Sequence, residues 1–190
     1  MKESIFQKIR DTETPDRSYR WYMDKIRKLG IGSMKAPNAM KTDIGEFTTA
    51  VYPGDMYLFM YDPKLKETLP FYDNFPLVIP FRKLPDGFIG LNLHYISPML
   101  RLKLLGRLLE YTNDKSLTET TRFKLRWKLL DNASRFPGVH ACVKRYLYSN
   151  INSRLFKIHP EDWKKTIMLP IDSFQKASRQ AVYTDSRSKM

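Results

Sequence analysis

A change of hydrophobic period between residues 84 and 100 constrains the fold of this chain more than any other feature. The run Leu84-Pro85-Asp86-Gly87 is a strong turn signal, and from Ile89 to Tyr95 apolar residues alternate with small or polar ones. This alternation is typical of a half-buried strand. Ser97-Pro98 comes next, a good N-cap followed by proline at the first helical position. The sequence therefore predicts a strand that leads directly into a helix.

Two more strands are predicted upstream of this turn. Met56–Tyr61 is a run of large β-forming residues that follows Pro53-Gly54. Phe75–Phe81 is a second run, with prolines at Pro76 and Pro80. Because proline cannot donate to a strand ladder, we expect this strand to lie at a sheet edge or to be irregular. Three short strands with tight turns indicate a small twisted antiparallel sheet or an SH3-like barrel.

Helical patterns dominate after residue 97. Leucines between residues 100 and 109 form one wide apolar stripe, and a second helix is predicted from about Thr118 to Ala133. Trp127 shares the apolar face of that second helix, so we expect it in the core. A third segment, Val139–Tyr148, continues this helical region.

The C-terminal part predicts two short strands, Leu155–Ile158 and Thr166–Leu169, and a last helix that Asp172 would cap. Trp163, between the strands, is expected to pack on the sheet rather than to stack on a base. The fold class is therefore α+β, with a sheet first and a basic helical region after it.

The N-terminal part is predicted to be an arm. Residues 1–29 indicate two helical pieces with a break at Thr14-Pro15-Asp16, and from Gly30 to about Thr49 glycine and proline interrupt the pattern. We interpret that second stretch as a linker or an extended arm lying on a neighbour. Aromatic and basic residues alternate at 17–28, which fits either contact with nucleic acid or docking of the arm. The expected domains are a helical and extended arm, 1–49, and an α+β core, 50–190.

The positive charge is concentrated in the second half of the chain. Of a formal net charge of +13 over 190 residues, residues 101–190 carry +11, with 19 basic and 8 acidic side chains. A field of this sign attracts polyanions such as nucleic acid, an anionic membrane surface or an acidic protein. A merely solvated surface is the plain alternative. No run of about 18 apolar residues is present, so we expect no membrane span.

Catalytic motifs are weak. The three histidines do not pair at metal-ligand spacing, and the single cysteine, Cys142, lies in an apolar stretch and is expected to be buried and inert. Asp62-Pro63-Lys64 and Asp162-Trp163-Lys164 loosely copy the acidic motif of a magnesium-dependent nuclease. Because Pro63 and Pro160 place both motifs in turns rather than in rigid strands, we keep a metal-dependent nuclease only as a third hypothesis and expect neither metal nor cofactor.

Double-stranded DNA is the partner that the basic helices favour, because Lys and Arg on neighbouring helices neutralise several phosphates. No recognition helix, zinc finger or RNA-binding sheet motif is present, so we expect contact with phosphate and shape without strong sequence preference. The candidate contact residues are Arg101, Lys103, Arg107, Arg122, Lys124, Arg126, Lys128, Lys144, Arg145, Arg154, Lys157, Lys164 and Lys165.

Several short motifs also point to a known family. They are Pro53-Gly54-Asp55-Met56-Tyr57, Tyr61-Asp62-Pro63-Lys64, Leu69-Pro70-Phe71-Tyr72-Asp73, Phe75-Pro76-Leu77-Val78, Gly87-Phe88-Ile89-Gly90-Leu91-Asn92-Leu93-His94-Tyr95, Cys142-Val143-Lys144-Arg145-Tyr146-Leu147, Ser153-Arg154, Pro160-Glu161-Asp162-Trp163 and Asp185-Ser186-Arg187. Together they resemble the DNA end protector family of structural proteins from T-even-like contractile-tailed bacteriophages. The resemblance covers roughly residues 53–187. Its motifs read as fold determinants.

The resemblance implies a non-enzymatic virion protein, made in the host bacterial cytoplasm. It would bind the end of the packaged DNA near the portal and neck and shield that end from host exonuclease. Its partners would be double-stranded DNA and other phage structural proteins of the portal, neck, tail or baseplate, with no membrane partner and with oligomerisation left open. The alternative is a structural connector of the head, neck, tail or baseplate that contacts only other virion proteins.

Overall fold

The computed structural model describes residues 19–113, 118, 128, 130–132 and 137–188. The helices are α1 (Tyr19–Lys28), α2 (Ala36–Ala39), α3 (Pro98–Asn113), α4 (Pro137–His140), α5 (Trp163–Thr166) and α6 (Arg179–Ser188). Short 3-10 helices cover Ile31–Ser33, Leu93–Tyr95, Tyr148–Asn150 and Pro160–Asp162. The strands are β1 (Gly45–Thr48), β2 (Met56–Leu58), β3 (Tyr72–Asp73), β4 (Leu77–Leu84), β5 (Gly87–Asn92), β6 (Val143–Leu147), β7 (Leu155–Ile158) and β8 (Phe174–Gln175).

The predicted turn at residues 84–87 closes the hairpin at the centre of the structure. Strands β4 and β5 pair antiparallel from Leu84 and Gly87 onward, and β5 also pairs with β6. Gly87 faces the backbone carbonyl of Tyr146 so closely that a Cβ would overlap it. Ser97-Pro98 begins α3 as predicted, and the backbone N–H of Arg101 donates to the Ser97 carbonyl at 3.0 Å.

The main sheet has six antiparallel strands in the order β1-β7-β2-β4-β5-β6, and β3 pairs with β8 in a separate ribbon. The mixed α and β class is confirmed. The SH3-like barrel is wrong, because in the part of the chain that the structure describes β1 and β6 are open edges of this sheet.

The proline-containing strand β4 is central, so the predicted edge position is wrong, while the predicted irregularity is confirmed. Pro80 lies opposite Gly90, and the register shifts between Pro80 and Arg82. The Pro80 carbonyl accepts a hydrogen bond from Gly54 N at 2.8 Å on the other side. The bulge lets a residue without an N–H sit inside the ladder.

The region after α3 supplies two strands of the sheet, of which β7 (Leu155–Ile158) has the predicted bounds and β6 lies where helix is predicted. Val139–Tyr148 was expected to continue the helices, but Val143–Leu147 is strand β6, because β5 offers an open ladder that satisfies its backbone. The predicted strand at 166–169 is instead the end of α5 and a turn. There Thr166 Oγ1 donates to the Asp162 carbonyl at 2.8 Å and Ile167 N to the Trp163 carbonyl at 3.0 Å. Local hydrogen bonds close this turn before a strand can form.

The arm packs against the body from residue 19 onward. The second predicted N-terminal helix is confirmed as α1, and the first lies outside the described residues. The stretch interpreted as a linker is short helices and β1, and its apolar side chains are buried: Ile31, Ala36, Ala39, Met40 and Ile44. The predicted domain division at 49 and 50 falls between β1 and β2, which both pair with β7.

Buried apolar side chains form two clusters on the two faces of the sheet. The larger cluster joins α1, the sheet and α5, and includes Tyr22 and Trp163, whose indole Nε1 donates to the Ile158 carbonyl at 3.1 Å. This confirms that Trp163 packs on the sheet and that the aromatics of α1 dock the arm. The smaller cluster is aromatic, with Phe59 and Tyr146 edge to face at 5.3 Å. The expected helix at 118–133 is described only at 118, 128 and 130–132, and Trp127 lies outside.

Candidate nucleic-acid interface

The thirteen predicted contact residues fall into three groups. Two are buried: Arg101 and Lys165. Seven are exposed or half-buried: Lys103, Lys128, Lys144, Arg145, Arg154, Lys157 and Lys164. The remaining four, Arg122, Lys124, Arg126 and the side chain of Arg107, lie outside the described residues.

Arg101 is an internal cation, not a surface one. Its guanidinium donates to the carbonyls of Ile96 at 2.8 Å, Ile167 at 3.0 Å and His94 at 3.3 Å. It also pairs with Asp172 at 2.9 Å. With 1% of its side chain exposed, Arg101 holds α3 to the C-terminal segment and offers no charge to a phosphate. The sequence placed it off the apolar stripe of α3 but could not show what faces it.

Asp172 is the centre of a network with Arg101, Tyr183 and Arg179, which we call the buried cage. Contrary to the prediction, Asp172 does not cap the last helix. The Tyr183 hydroxyl donates to it at 2.9 Å and Arg179 Nε lies 3.1 Å away. Burial alone would raise the pKa of Asp172, but the charges of Arg101, His94 and Arg179 outweigh burial and hold that pKa below its ordinary value.

Lys165 is buried as well, because α5 turns it inward onto Asp162, three residues before it. Asp162 was part of one loosely nuclease-like motif. In the other acidic motif, Asp62 forms an ion pair with Lys66 at 3.0 Å. Among the residues that the structure describes, no group of three or more His, Cys, Asp or Glu side chains has the arrangement of a metal site.

An exposed tyrosine between two lysines forms the first candidate contact surface, which we call the Tyr52 patch: Tyr52, Lys83 and Lys157. Tyr52 is 56% exposed, and the ammonium groups of Lys83 and Lys157 lie 5.2 and 5.9 Å from the centre of its ring. Lys83 comes from β4 and Lys157 from β7, with β2 between them. Asp55 pairs with Lys157 at 2.8 Å and partly neutralises it. A cation beside an exposed ring offers a phosphate contact together with a stacking surface.

A similar pair stands at the β1 edge. The Arg154 guanidinium lies 5.4 Å from the centre of the Phe47 ring and donates to the Phe47 carbonyl at 3.3 Å. Phe47 is 45% exposed.

A cleft of about 550 Å³ is the second candidate surface, and we call it the aromatic cleft. It lies between the loop at residues 62–71, strand β3 and strand β6. Its lining residues include the rings of Tyr61, Phe71, Tyr72, Tyr95 and Tyr146, with Lys64, Lys144 and Arg145 among the charged residues. The volume is within the range of roughly 300–1,000 Å³ that is usual for small-ligand sites.

Basic side chains border the aromatic cleft. Lys144 lies with its ammonium 4.1 Å from the centre of the Tyr95 ring, a close cation–π contact. Arg145 is 57% exposed and donates to both carboxylate oxygens of Asp86, at 2.7 and 2.9 Å. That hydrogen bonding holds the pKa of Asp86 below its ordinary value. Lys64 is exposed in the loop.

Polar groups at the bottom of the cleft bind one another. Asp73 accepts hydrogen bonds from the Asn92 amide at 3.2 Å and meets His94 Nδ1 at 2.7 Å. Asn92 Oδ1 in turn accepts from the backbone N–H of His94 at 3.0 Å. All three side chains are buried, which confirms His94 as a structural histidine. This network fixes the end of β5 against β3.

Lys176 anchors the outer loop of the cleft. Lys176 Nζ donates to the carbonyls of Lys66, Glu67 and Leu69 at 2.6, 3.0 and 3.2 Å. Its backbone has φ of 67°, which is uncommon for a residue other than glycine. The loop is therefore held in place without a ligand.

The sequence predicts Lys144, Arg154 and Lys157 as contact residues but does not predict the aromatic rings beside them. No periodic pattern in the sequence marks Tyr52, and Lys83 lies at the end of the proline-containing strand β4. The aromatic pair Phe71-Tyr72 near Lys64 could have indicated the cleft. In the sequence this pair is typical of a strand, and only the fold shows that β6 lies next to it. The basic and aromatic residues at 17–28 were considered as a nucleic-acid contact instead.

The comparison with protein families identifies the class. A family model described as the phage T4 terminal DNA protecting protein matches residues 1–188, so the match includes the arm that the sequence resemblance left out. The chain is a DNA-binding structural protein of a bacteriophage. It belongs to the family of phage terminal DNA protecting proteins. No curated protein and no solved structure matches it. Within the described ranges, no helix is long and apolar enough to cross a membrane.

Proposed function

We propose that this chain is a non-enzymatic virion protein that binds the end of the packaged double-stranded DNA near the portal and neck and shields it from exonuclease. It is made in the host bacterial cytoplasm and joins the particle with other phage structural proteins. The family supports DNA-end protection by a virion component. The Tyr52 patch carries the proposal in the structure, because an exposed ring with two lysines beside it suits phosphate contact and stacking.

The contact set consists of the seven exposed or half-buried residues named above, together with Tyr52, Lys83 and Lys64. Arg107, Arg122, Lys124 and Arg126 remain part of the proposed set from the sequence. Arg101 and Lys165 are left out because both side chains are buried. Contacts of this kind read the phosphate backbone, so binding is expected to depend on salt and not on base sequence.

The test compares a linear DNA with a closed-circular DNA of equal length. We expect tighter binding to the linear form, protection of its ends from an added exonuclease, and affinity that falls steeply with salt. Equal binding to both forms without protection would overturn end binding. Salt-independent binding would overturn the phosphate contacts.

Paired variants localise the contact. Lys83→Gln with Lys157→Gln is expected to lower the slope of log affinity against log salt by about 0.9 to 1.8, since each phosphate contact contributes about 0.9. Lys35→Gln with Lys41→Gln removes the same charge from two exposed lysines outside both candidate surfaces. Equal effects of the two pairs would show that only net charge matters and that the Tyr52 patch is no contact.

A connector function is the second candidate, favoured by the position of β1 at the edge of the sheet in the described part of the chain, where Phe47 is 45% exposed. An unpaired edge strand accepts a strand from another protein. In this case the chain would co-purify with another virion protein after nuclease treatment and would not prefer linear DNA. Loss of the complex on nuclease treatment would contradict it.

A further inference from the structure

We propose that the aromatic cleft receives an unpaired nucleotide at the DNA end, from a single-stranded overhang or a frayed terminal pair. This inference rests on the proposed end binding and gives that function a site. It concerns the form of the DNA end that is held, which a basic surface alone does not distinguish.

The size of the cleft selects the occupant. At about 550 Å³ it has the volume of a small-ligand site, so a single nucleotide enters while a paired duplex end stays at the rim. Enzymes that act on bases draw a single nucleotide into pockets of this kind. An unpaired base enters without the cost of breaking a pair and a stack, which is a few kcal/mol.

The chemistry of the cleft fits a nucleotide. Phe71 and Tyr72 are half-buried, so parts of both rings face the solvent and can contact a base. Phe71 is held at 5.9 Å from Tyr95 and 6.4 Å from Phe174, which fixes its plane. Lys64 and Lys144 provide positive charge for the phosphate next to that base. Rings and cations in one groove are the usual elements of single-strand binding.

The hydrogen bonding of the polar groups at the bottom of the cleft explains why such a site would accept any base. Asp73 accepts from the Phe75 backbone at 3.0 Å as well as from Asn92, and Asn92 is bound to Asp73 and His94. These buried groups are committed to one another, so they offer no set of hydrogen bonds for reading a base edge. Stacking supplies the affinity, and every base has a face that stacks.

The cleft is also preorganised. Lys176 binds three loop carbonyls, and the Lys66–Asp62 pair at 3.0 Å bridges the start of the same loop. A wall that is already in place costs less entropy on binding than a loop that must be ordered. Binding is therefore expected without a large rearrangement of the 62–71 loop.

The test measures binding of the full chain to DNA hairpins that have one free end. The hairpins carry a blunt end, an overhang of a few nucleotides, or the same overhang without its bases. We expect the overhang to bind at least about fivefold more tightly than the blunt end, since stacking of one base contributes about 1 kcal/mol or more. The overhang without bases should keep only the part of this gain that its phosphates supply.

Two variants and a crosslink locate the effect. Lys64→Gln with Lys144→Gln should lower the overhang preference by removing the contacts to its phosphate, whereas Lys35→Gln with Lys41→Gln should keep it. A photoreactive base at the terminal position should crosslink to peptides from residues 64–73 or 144–147. This readout uses the native chain, so it does not depend on the folding of any variant.

The outcomes separate the two proposals. If the native chain prefers linear over circular DNA but binds the three hairpins equally, the cleft inference is overturned and end protection stands. If it has no preference for linear DNA, end binding falls and the cleft inference falls with it. A crosslink confined to the Tyr52 patch would also overturn the cleft as the binding site of the terminal base.

Discussion

Replacing Arg101 with methionine should destabilise the protein strongly while leaving its electrostatic contact with DNA unchanged. The side chain is 1% exposed and bonds to three backbone carbonyls, to Asp172 and to the Tyr183 hydroxyl. Methionine fills much of the volume but leaves those acceptors and the Asp172 charge without the guanidinium. Removing one partner of a buried pair costs about 3–5 kcal/mol. The contributions of the individual hydrogen bonds are not additive. We therefore expect the free energy of unfolding to fall by about 3–5 kcal/mol in all, and not by the sum of the separate bonds.

Urea unfolding followed by tryptophan fluorescence measures this change. With a slope of about 1–3 kcal/mol per molar urea, the loss lowers the midpoint by about 2 M. The matched control is Lys103→Met, two residues along α3 and exposed, which should change the stability by no more than about 0.5 kcal/mol. Equal midpoints for the two variants would refute the buried cage.

If Arg101→Met does not fold, the stability of Arg101→Lys can be measured instead. Lysine keeps the charge but cannot reach several acceptors at once, so an intermediate loss of stability is expected. The salt slope of DNA binding by the folded Arg101→Lys and Arg101→Met proteins should equal that of the native chain. A slope lower by about 0.9 in Arg101→Met would show that Arg101 contacts a phosphate.

Three other predictions follow from the same structure. Because the pKa of Asp172 is depressed in the folded state, its contribution to stability is complete above its ordinary pKa of 3.8 and is lost as pH falls through the folded value. Urea midpoints of native protein and Asp172→Asn should therefore converge below about pH 4, and parallel curves would contradict this. Gly87→Ala places a Cβ against the Tyr146 carbonyl and should cost about 1–3 kcal/mol in the same assay, whereas Gly32→Ala, where nothing lies within 4 Å, should cost much less. Burial raises the pKa of Cys142 to about 12, so a thiol reagent at pH 7.5 should label it only after unfolding, and rapid labelling of folded protein would show the thiol to be accessible.

Local patterns predicted the elements that local physics decides. The turn at residues 84–87 and the start of α3 after Ser97 lie where the sequence predicts them, because turns and helix starts depend on residues close in sequence. The half-buried strand predicted through Tyr95 instead ends at Asn92 and is buried on both faces, and Leu93–Tyr95 is a 3-10 helix. The concentration of charge after residue 100 was also legible from composition. Together with the short motifs, these features led to the family that the whole chain matches.

The tertiary structure alone decided which of the basic residues are available. Arg101 and Lys103 look alike in sequence, but Asp172 comes from a segment 71 residues away and makes Arg101 internal. In the same way, Val143–Leu147 became a strand because β5 had an open edge, and this pairing brought Lys144 against the Tyr95 ring. Burial and pairing depend on partners that are distant along the chain, and no periodicity within a short window contains that information.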